Sequence, residues 1–215
     1  MMQFEIIPVT PFEQNCTLLI CPTTRESAIV DPGGEPARMI AALERLNATP
    51  RMILLTHGHL DHVGAAPELA AQLNLPIIGP HHDDAFWLDA LPQQAQMFGF
   101  PPQVAFSPDQ WLEHGQQLQL GERRLEVLHC PGHTPGHLVF VDRAAGLAQV
   151  GDVLFRGAIG RTDFPRGDHA QLLASIRERL FPLGDAVRFI PGHGPMGTLG
   201  EERRTNPFVG ERRWG

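Results

Sequence analysis

The stretch Thr56-His57-Gly58-His59-Leu60-Asp61-His62 constrains this chain more than any other. It follows the apolar run Met52-Ile53-Leu54-Leu55, which reads as a buried strand, and it places three imidazoles and a carboxylate within six residues. In extended backbone, residues two apart share a face, so His57 and His59 aim at one point. Asp61 and His62 follow where the chain turns, and Gly58 is read as the hinge between the two histidines. Such a density of ring nitrogens is wasteful without a cation to share. A compatible fold must therefore end a buried strand in a polar cavity.

Three further stretches repeat the setting. Leu125-Glu126-Val127-Leu128 leads to Cys130-Pro131-Gly132-His133, Leu147-Ala148-Gln149-Val150 to Gly151-Asp152, and Val187-Arg188-Phe189-Ile190 to Pro191-Gly192-His193-Gly194. Each is a short apolar strand, then Gly or Pro punctuation, then one group able to bind a metal. Together they supply the imidazoles of His57, His59, His62, His133 and His193 and the carboxylates of Asp61 and Asp152. This is too many donors for one ion and natural for two, particularly if a carboxylate or a water oxygen is shared. Water held by two divalent cations loses a proton with a pKa of roughly 7. Hydroxide attack on a carbonyl carbon is then the default reaction, without a serine or cysteine nucleophile.

At 215 residues the chain suffices for one compact domain built as two pseudo-equivalent halves, about 1–115 and 116–215. Its net charge of −7 and the lack of a Lys/Arg cluster argue against nucleic acid as a partner. The arginines nearest to a cluster, Arg203-Arg204 and Arg212-Arg213, alternate with Glu201, Glu202 and Glu211 and read as a solvated helix face and tail. There is no basic, apolar leader and no run of about 18 apolar residues to span a membrane, so a cytoplasmic protein is expected, monomeric or a small homo-oligomer. Cys16, Cys21 and Cys130 have no CxxC spacing, which leaves nitrogen and oxygen to bind any metal.

In chain order, strands are expected at 3–9, 16–20 and 27–30, the last closed by the turn Asp31-Pro32-Gly33-Gly34. Met39, Ile40, Leu43 and Leu46 mark a helix. After the histidine stretch come a helix over Val63–Leu73, a strand at 76–78 and a helix over 83–98 broken at Pro92. Strands follow at 117–120, 123–128, 138–142 and 147–150. A helix opens on Asp168 and Gln171 as a capping box, carries Leu172, Leu173, Ile176 and Leu180 on one side, and ends at Pro182 and Gly184.

The segments HxHxDH at His57 to His62, PGHTPGH around His133, GD at Asp152 and PGHG around His193 resemble, in order and spacing, the metallo-β-lactamase superfamily. That resemblance implies an α/β fold, the αββα sandwich. Gly160-Arg161-Thr162-Asp163-Phe164 and Pro191-Gly192-His193-Gly194-Pro195 are most similar to the short glyoxalase II, or hydroxyacylglutathione hydrolase, branch. In that family His57, His59 and His133 would hold a first metal, Asp61, His62 and His193 a second, and Asp152 would bridge them. The implied reaction is hydrolysis of a small-molecule thioester, S-D-lactoylglutathione to D-lactate and glutathione. Asp61 and Asp152 act there with a bridging hydroxide on two divalent ions, zinc first, iron or manganese also being accepted.

Departures refine the choice. Six-ligand β-lactamases lack the aspartate found here at 152, and flavodiiron proteins carry Glu where His59 stands. The chain has no tyrosine, whereas superfamily lactonases use one near the metals and the longer glyoxalases use tyrosines and a C-terminal helical region to hold glutathione. The rival is persulfide dioxygenase, in which the equivalents of His57, His133 and Asp152 hold a single iron. A non-enzymatic metal-binding protein is a third class, disfavoured because such sites are usually closed. Arg161, and less so Arg166, could anchor a substrate carboxylate, with Asp163 holding the loop. His137 is expected to support a ligand rather than bind metal. His81, His82, His114, His129 and His169 are read as ordinary surface or core residues, and Cys130 as a buried thiol.

Overall fold

A computed structural model describes residues 1–211, so Arg212 and Arg213 of the expected tail lie outside the described residues. Two sheets carry the fold. The first contains β1 (Gln3–Val9), β2 (Gln14–Ile20), β3 (Glu26–Val30), β4 (Thr49–Leu54) and β5 (Ile77–Ile78) side by side in chain order. β1 to β3 pair antiparallel, and β3, β4 and β5 pair parallel. The parallel steps are bridged by α1 (Pro36–Arg45) and by α2 (Leu60–Val63) with α3 (Ala66–Leu73). A helical hairpin follows, α4 (Ala85–Asp89) and α5 (Leu91–Phe98).

The second sheet is built from β6 (Gln117–Leu120), β7 (Arg123–His129), β8 (Leu138–Asp142) and β9 (Leu147–Gly151). A separate two-stranded hairpin, β10 (Leu154–Phe155) and β11 (Ala158–Ile159), precedes α6 (His169–Ser175). The sheet is completed by β12 (Arg188–Pro191), parallel to β9, and β13 (Gly197–Thr198), in the order β13-β12-β9-β8-β7-β6, and α7 (Leu199–Thr205) follows.

The two-residue period of the strands sorts their side chains into layers. On β2, Leu18 and Ile20 join Met39, Leu43, Val63 and Leu69 of the helices, while Leu19 faces the other sheet. On β8, Val139 and Val141 pack with Leu172 and Ile176 of α6 and the turn after it, while Leu138 and Phe140 meet Leu19, Val30 and Leu54. Helix, sheet, sheet, helix is the αββα sandwich that the resemblance implied. No helix among the described residues is long and apolar enough to cross a membrane.

Three expectations need correction. The helix over Val63–Leu73 is two pieces, because Ala65 N–H donates to Pro32 O at 2.9 Å and Pro67 has no donor for the preceding turn. The break in the 83–98 helix falls at Ala90, with Pro92 inside the first turn of α5, where its missing N–H costs nothing. Glu202 is not on a solvated helix face: it is 1 % exposed and its carboxylate is hydrogen-bonded inside the fold. Asp168 does cap α6, accepting from Gln171 N at 3.0 Å, and the helix runs on through a π-helical turn, Ile176–Leu180.

Candidate metal centre

Every predicted ligand follows the C-terminal end of a strand, and the sandwich brings those ends to one edge. β4 delivers His57 to His62, β7 leads to His133, β9 to Asp152 and β12 to His193. Loops from both sheets are stitched there. Asn15 on β2 donates through Nδ2 to Pro191 O at 3.0 Å and Gly194 O at 2.8 Å, fixing the His193 turn to the first sheet. Asp84 accepts from Gly58 N at 2.9 Å, from Thr134 Oγ1 at 2.8 Å and from Gly136 N at 2.6 Å, joining the loops of His59 and His133.

Four of the five rings are held from behind through Nδ1. His133 Nδ1 donates to Arg161 O at 2.7 Å and His193 Nδ1 to Phe12 O at 3.1 Å. His62 Nδ1 donates to Asp31 Oδ2 at 2.9 Å, and His57 Nδ1 to Thr56 Oγ1 at 3.0 Å, whose hydroxyl donates in turn to Asp31. These bonds set the tautomer that leaves each Nε2 as a lone pair facing inward. His59 is reversed and presents Nδ1, 3.1 Å from both His57 Nε2 and His133 Nε2.

Two groups of donors result. His57, His59 and His133 form one; Asp61, His62 and His193 form the other, with His193 Nε2 3.2 Å from Asp61 Oδ2 and His62 Nε2 3.8 Å from it. Asp152 lies between them: Oδ1 is 3.4 Å from His62 Nε2, and Oδ2 is 3.6 Å from His133 Nε2 and 3.7 Å from His193 Nε2. Nitrogens bound at about 2.0 Å to a tetrahedral ion stand roughly 3.3 Å apart, close to the spacing in the first group. His62 Nε2 and Asp152 Oδ1 are buried without a hydrogen-bond partner, a costly state that a cation relieves. The residues fit a pair of divalent ions.

The electrostatics divide in the same way. Burial, reinforced by neighbouring imidazoles, holds His57 and His59 well below the usual histidine pKa, and burial lowers His133 despite Asp152. Burial also opposes a charge on His62, but the charges of Asp152 and Asp61, with the hydrogen bond to Asp31, raise it well above that value. His193 is likewise raised against burial by its bond to Asp61 and the charge of Asp152. Burial would raise Asp152, yet His62, His133 and His193 hold it below the ordinary carboxylate range.

Gly58 matters for a different reason from the hinge expected of it: a Cβ there would lie 2.6 Å from the Cβ of Trp87. Gly192 is required in the same sense, because its Cβ would fall 2.0 Å from Asp152 Oδ1. His137 does support the site. It is fully buried, its ring stacks on His57 at 4.6 Å, and its Nε2 accepts from Asp152 N at 3.0 Å.

Asp31, Asp84 and Gln94 were not singled out from sequence. Asp31 ends an apolar strand before Pro32 and Gly33, so the pattern that located the ligands was present there. Burial pushes the Asp84 carboxyl up to about 6. Gln94 accepts from Leu60 N at 2.9 Å and donates to Trp87 O at 2.8 Å, fixing α5 beside the histidine stretch.

The donors open into a cleft of about 760 Å³ whose walls are mostly apolar: Trp87, Met97 and Phe98 on the α4–α5 side, Phe155, Ile159 and Phe164 opposite. Arg161 is at its rim, pairing with Asp163 through Nε at 2.9 Å and Nη2 at 2.8 Å and lying 4.5 Å over the Phe164 ring. Asp163 thus holds the loop, as expected. Arg166 stacks on Phe86 at 4.2 Å and does not line the cleft. Away from the cleft, His81 and His129 stack at 4.2 Å, near Asp83, with His81 bonded to Glu113. Cys130 is buried, and burial pushes its thiol up to about 12.

Comparison with known proteins is consistent with this geometry. The family model of the metallo-beta-lactamase superfamily matches residues 9–193. Hydroxyacylglutathione hydrolase GloC of Haemophilus influenzae is 50% identical over 212 residues, covering 98% of this chain and 100% of the relative. Among solved structures, the BLEG-1 B3 metallo-beta-lactamase superposes with a TM-score of 0.89 at 37% identity, covering 96% of this chain and 99% of its own. TTHA1623 in a di-iron-bound form gives 0.86 at 38% identity, covering 95% and 99%.

Proposed function

Because the chain belongs to the metallo-beta-lactamase superfamily and is a metal-dependent hydrolase, we propose that it cleaves glutathione thioesters, with S-D-lactoylglutathione giving D-lactate and glutathione as the leading reaction. The observation that carries this reading is Asp152, a single carboxylate with one oxygen toward His62 and the other toward His133 and His193. His57, His59 and His133 would hold one ion, Asp61, His62 and His193 the other, and Asp152 would be shared. When bound, the two ions supply a hydroxide near neutral pH and Lewis acidity for a carbonyl oxygen. Zinc suits the mixed nitrogen and oxygen set, and iron or manganese is also compatible; TTHA1623, observed in a di-iron-bound form, supports the two-ion reading.

The chain's own residues have distinct tasks. Asp31, Thr56, Arg161 O and Phe12 O keep the imidazoles in one tautomer, so no ring must reorient during turnover. Asp61, with its side chain 15% exposed beside His193, is the carboxylate placed to take the proton of the attacking water and return it to the leaving thiolate. Trp87 and Phe164 stand against His59, with ring centroids at 4.5 and 4.9 Å, and exclude water from that side. Arg161 contributes at the rim, in competition with Asp163, to holding a substrate carboxylate.

The rival persulfide chemistry would use His57, His133 and Asp152, all present here, to hold a single iron. Following thioester loss from S-D-lactoylglutathione with metal-loaded protein under anaerobic conditions separates the two. Rapid oxygen-independent turnover is expected. Inactivity at full metal loading, with activity on glutathione persulfide and oxygen, would replace this reading.

A further inference from the structure

We propose that Arg156 is the residue that recognises a carboxylate of the thiol carrier, and that Glu202 and Asn206 position it from the C-terminal helix. Naming the carrier as glutathione rests on the thioester reading above.

Arg156 occupies the turn of the β10–β11 hairpin, between Phe155 and Gly157, and lines the cleft. The Phe155 ring is 6.3 Å from that of His193, so the hairpin borders the cleft on the side of Asp61 and His193. Among the described residues that line this apolar-walled cleft, Arg156 and Arg161 are the arginines. Arg161 is already satisfied by two bonds to Asp163 and by Phe164. Arg156 is exposed, and among the described residues no carboxylate pairs with it. A planar guanidinium with open donors beside an apolar wall is suited to a bidentate carboxylate, and low polarity nearby strengthens the pairing.

The hairpin consists of two residue pairs, too short to hold itself. Its turn is held from α7. Gly157 N donates to Glu202 Oε2 at 2.9 Å, Asn206 Nδ2 donates to Ala158 O at 3.1 Å and to Glu202 Oε2 at 2.7 Å, and Asn206 Oδ1 accepts from Phe208 N at 2.9 Å. Glu202 and Asn206 are each 1% exposed. A buried carboxylate is costly unless fully bonded, and these bonds reach the backbone of Gly157 and Ala158, the two residues that follow Arg156. The arrangement fixes the base of Arg156 while leaving its guanidinium free to meet a ligand.

The test is calorimetric binding to metal-loaded protein of S-hexylglutathione, a thioether that cannot be hydrolysed, and of its dimethyl ester, which lacks both carboxylates. Wild-type protein is expected to bind the acid about tenfold more tightly than the ester. Arg156→Ala should abolish most of that ratio and Arg156→Lys should restore a part of it. Glu202→Gln should lower it in the same direction, because the hairpin turn loses its charged acceptor. The ratio is measured within one preparation, so a loss of folded protein does not alter it. Equal binding of acid and ester by wild-type protein, or a ratio unchanged in Arg156→Ala, would overturn the proposal. An intact ratio in wild-type protein that hydrolyses no thioester would overturn the catalytic reading and leave this one standing.

Discussion

The two donor groups lie side by side, yet they are opposite in character. His57, His59 and His133 are all nitrogen, at most 8% exposed, and kept neutral by burial. Asp61, His62 and His193 mix oxygen with nitrogen, His193 has its side chain 29% exposed, and both of its imidazoles are drawn toward protonation by carboxylates. The first group offers lone pairs ready for a cation. At the second, carboxylates raise both imidazoles, so an ion binding there competes with protons. A shared carboxylate thus joins a station whose imidazoles are kept neutral to one where metal and proton compete.

The most severe way to break this comparison is to remove what joins the two stations. Asp152→Ala should lower turnover by at least about 10²-fold, the scale of losing a preorganised electrostatic element, with far-ultraviolet circular dichroism unchanged. Metal analysis should show the Asp61 group depleted more than the other. Near-normal turnover would refute the shared role of Asp152. Graded chelation tests the same asymmetry without mutation: metal should leave in two phases, the first abolishing activity while about one ion per chain remains. Because the raised imidazoles bind protons more readily as pH falls, the first phase should be the more sensitive to acid; two phases with equal pH dependence would contradict the division.

The positions of the seven candidate donors were legible in the sequence because each is announced locally, three by an apolar strand followed by Gly or Pro and four by the histidine-rich stretch directly after a buried strand. The layer behind them was not. Asp84 is 26 residues from Gly58 and 52 from Gly136, and its role exists only when two loops meet. Glu202 stands among charged neighbours and so reads as solvated, although the fold turns it inward to a hairpin too short to show any periodicity. Asp31 is a different failure. It carries the local signal, but its partners use the far nitrogen of His62 and a threonine, which spacing cannot distinguish from ligation.

Asp31 also touches both stations, His62 directly and His57 through Thr56, so a change there sharpens the comparison. Its carboxylate accepts from Thr56 N, Thr56 Oγ1 and His62 Nδ1. An amide cannot accept on both sides, so Asp31→Asn turns a donor against one of them. The expected result is a loss of about 10- to 100-fold in metal affinity, larger for the Asp61 group, whose ligand is bonded without an intermediary. Isothermal titration with zinc reads this directly; an equal loss in both phases would show that the two stations share one scaffold.

The smallest effect concerns the rim, where the stations face a substrate rather than a metal. The Arg161 guanidinium is 67% exposed and already paired with an equally exposed Asp163, so a substrate carboxylate gains only what it wins from that partner and from solvent. Exposed pairs contribute about 0–1 kcal/mol, which sets the expected rise in KM for a carboxylate-bearing thioester at roughly two- to fivefold in Arg161→Ala. A neutral thioester should show less. The backbone carbonyl of Arg161, which holds His133, is retained in this variant, so kcat should move little for either substrate. A fall in kcat alone would mean that the side chain acts through the His133 station; equal rises in KM for both substrates would mean that it anchors no carboxylate.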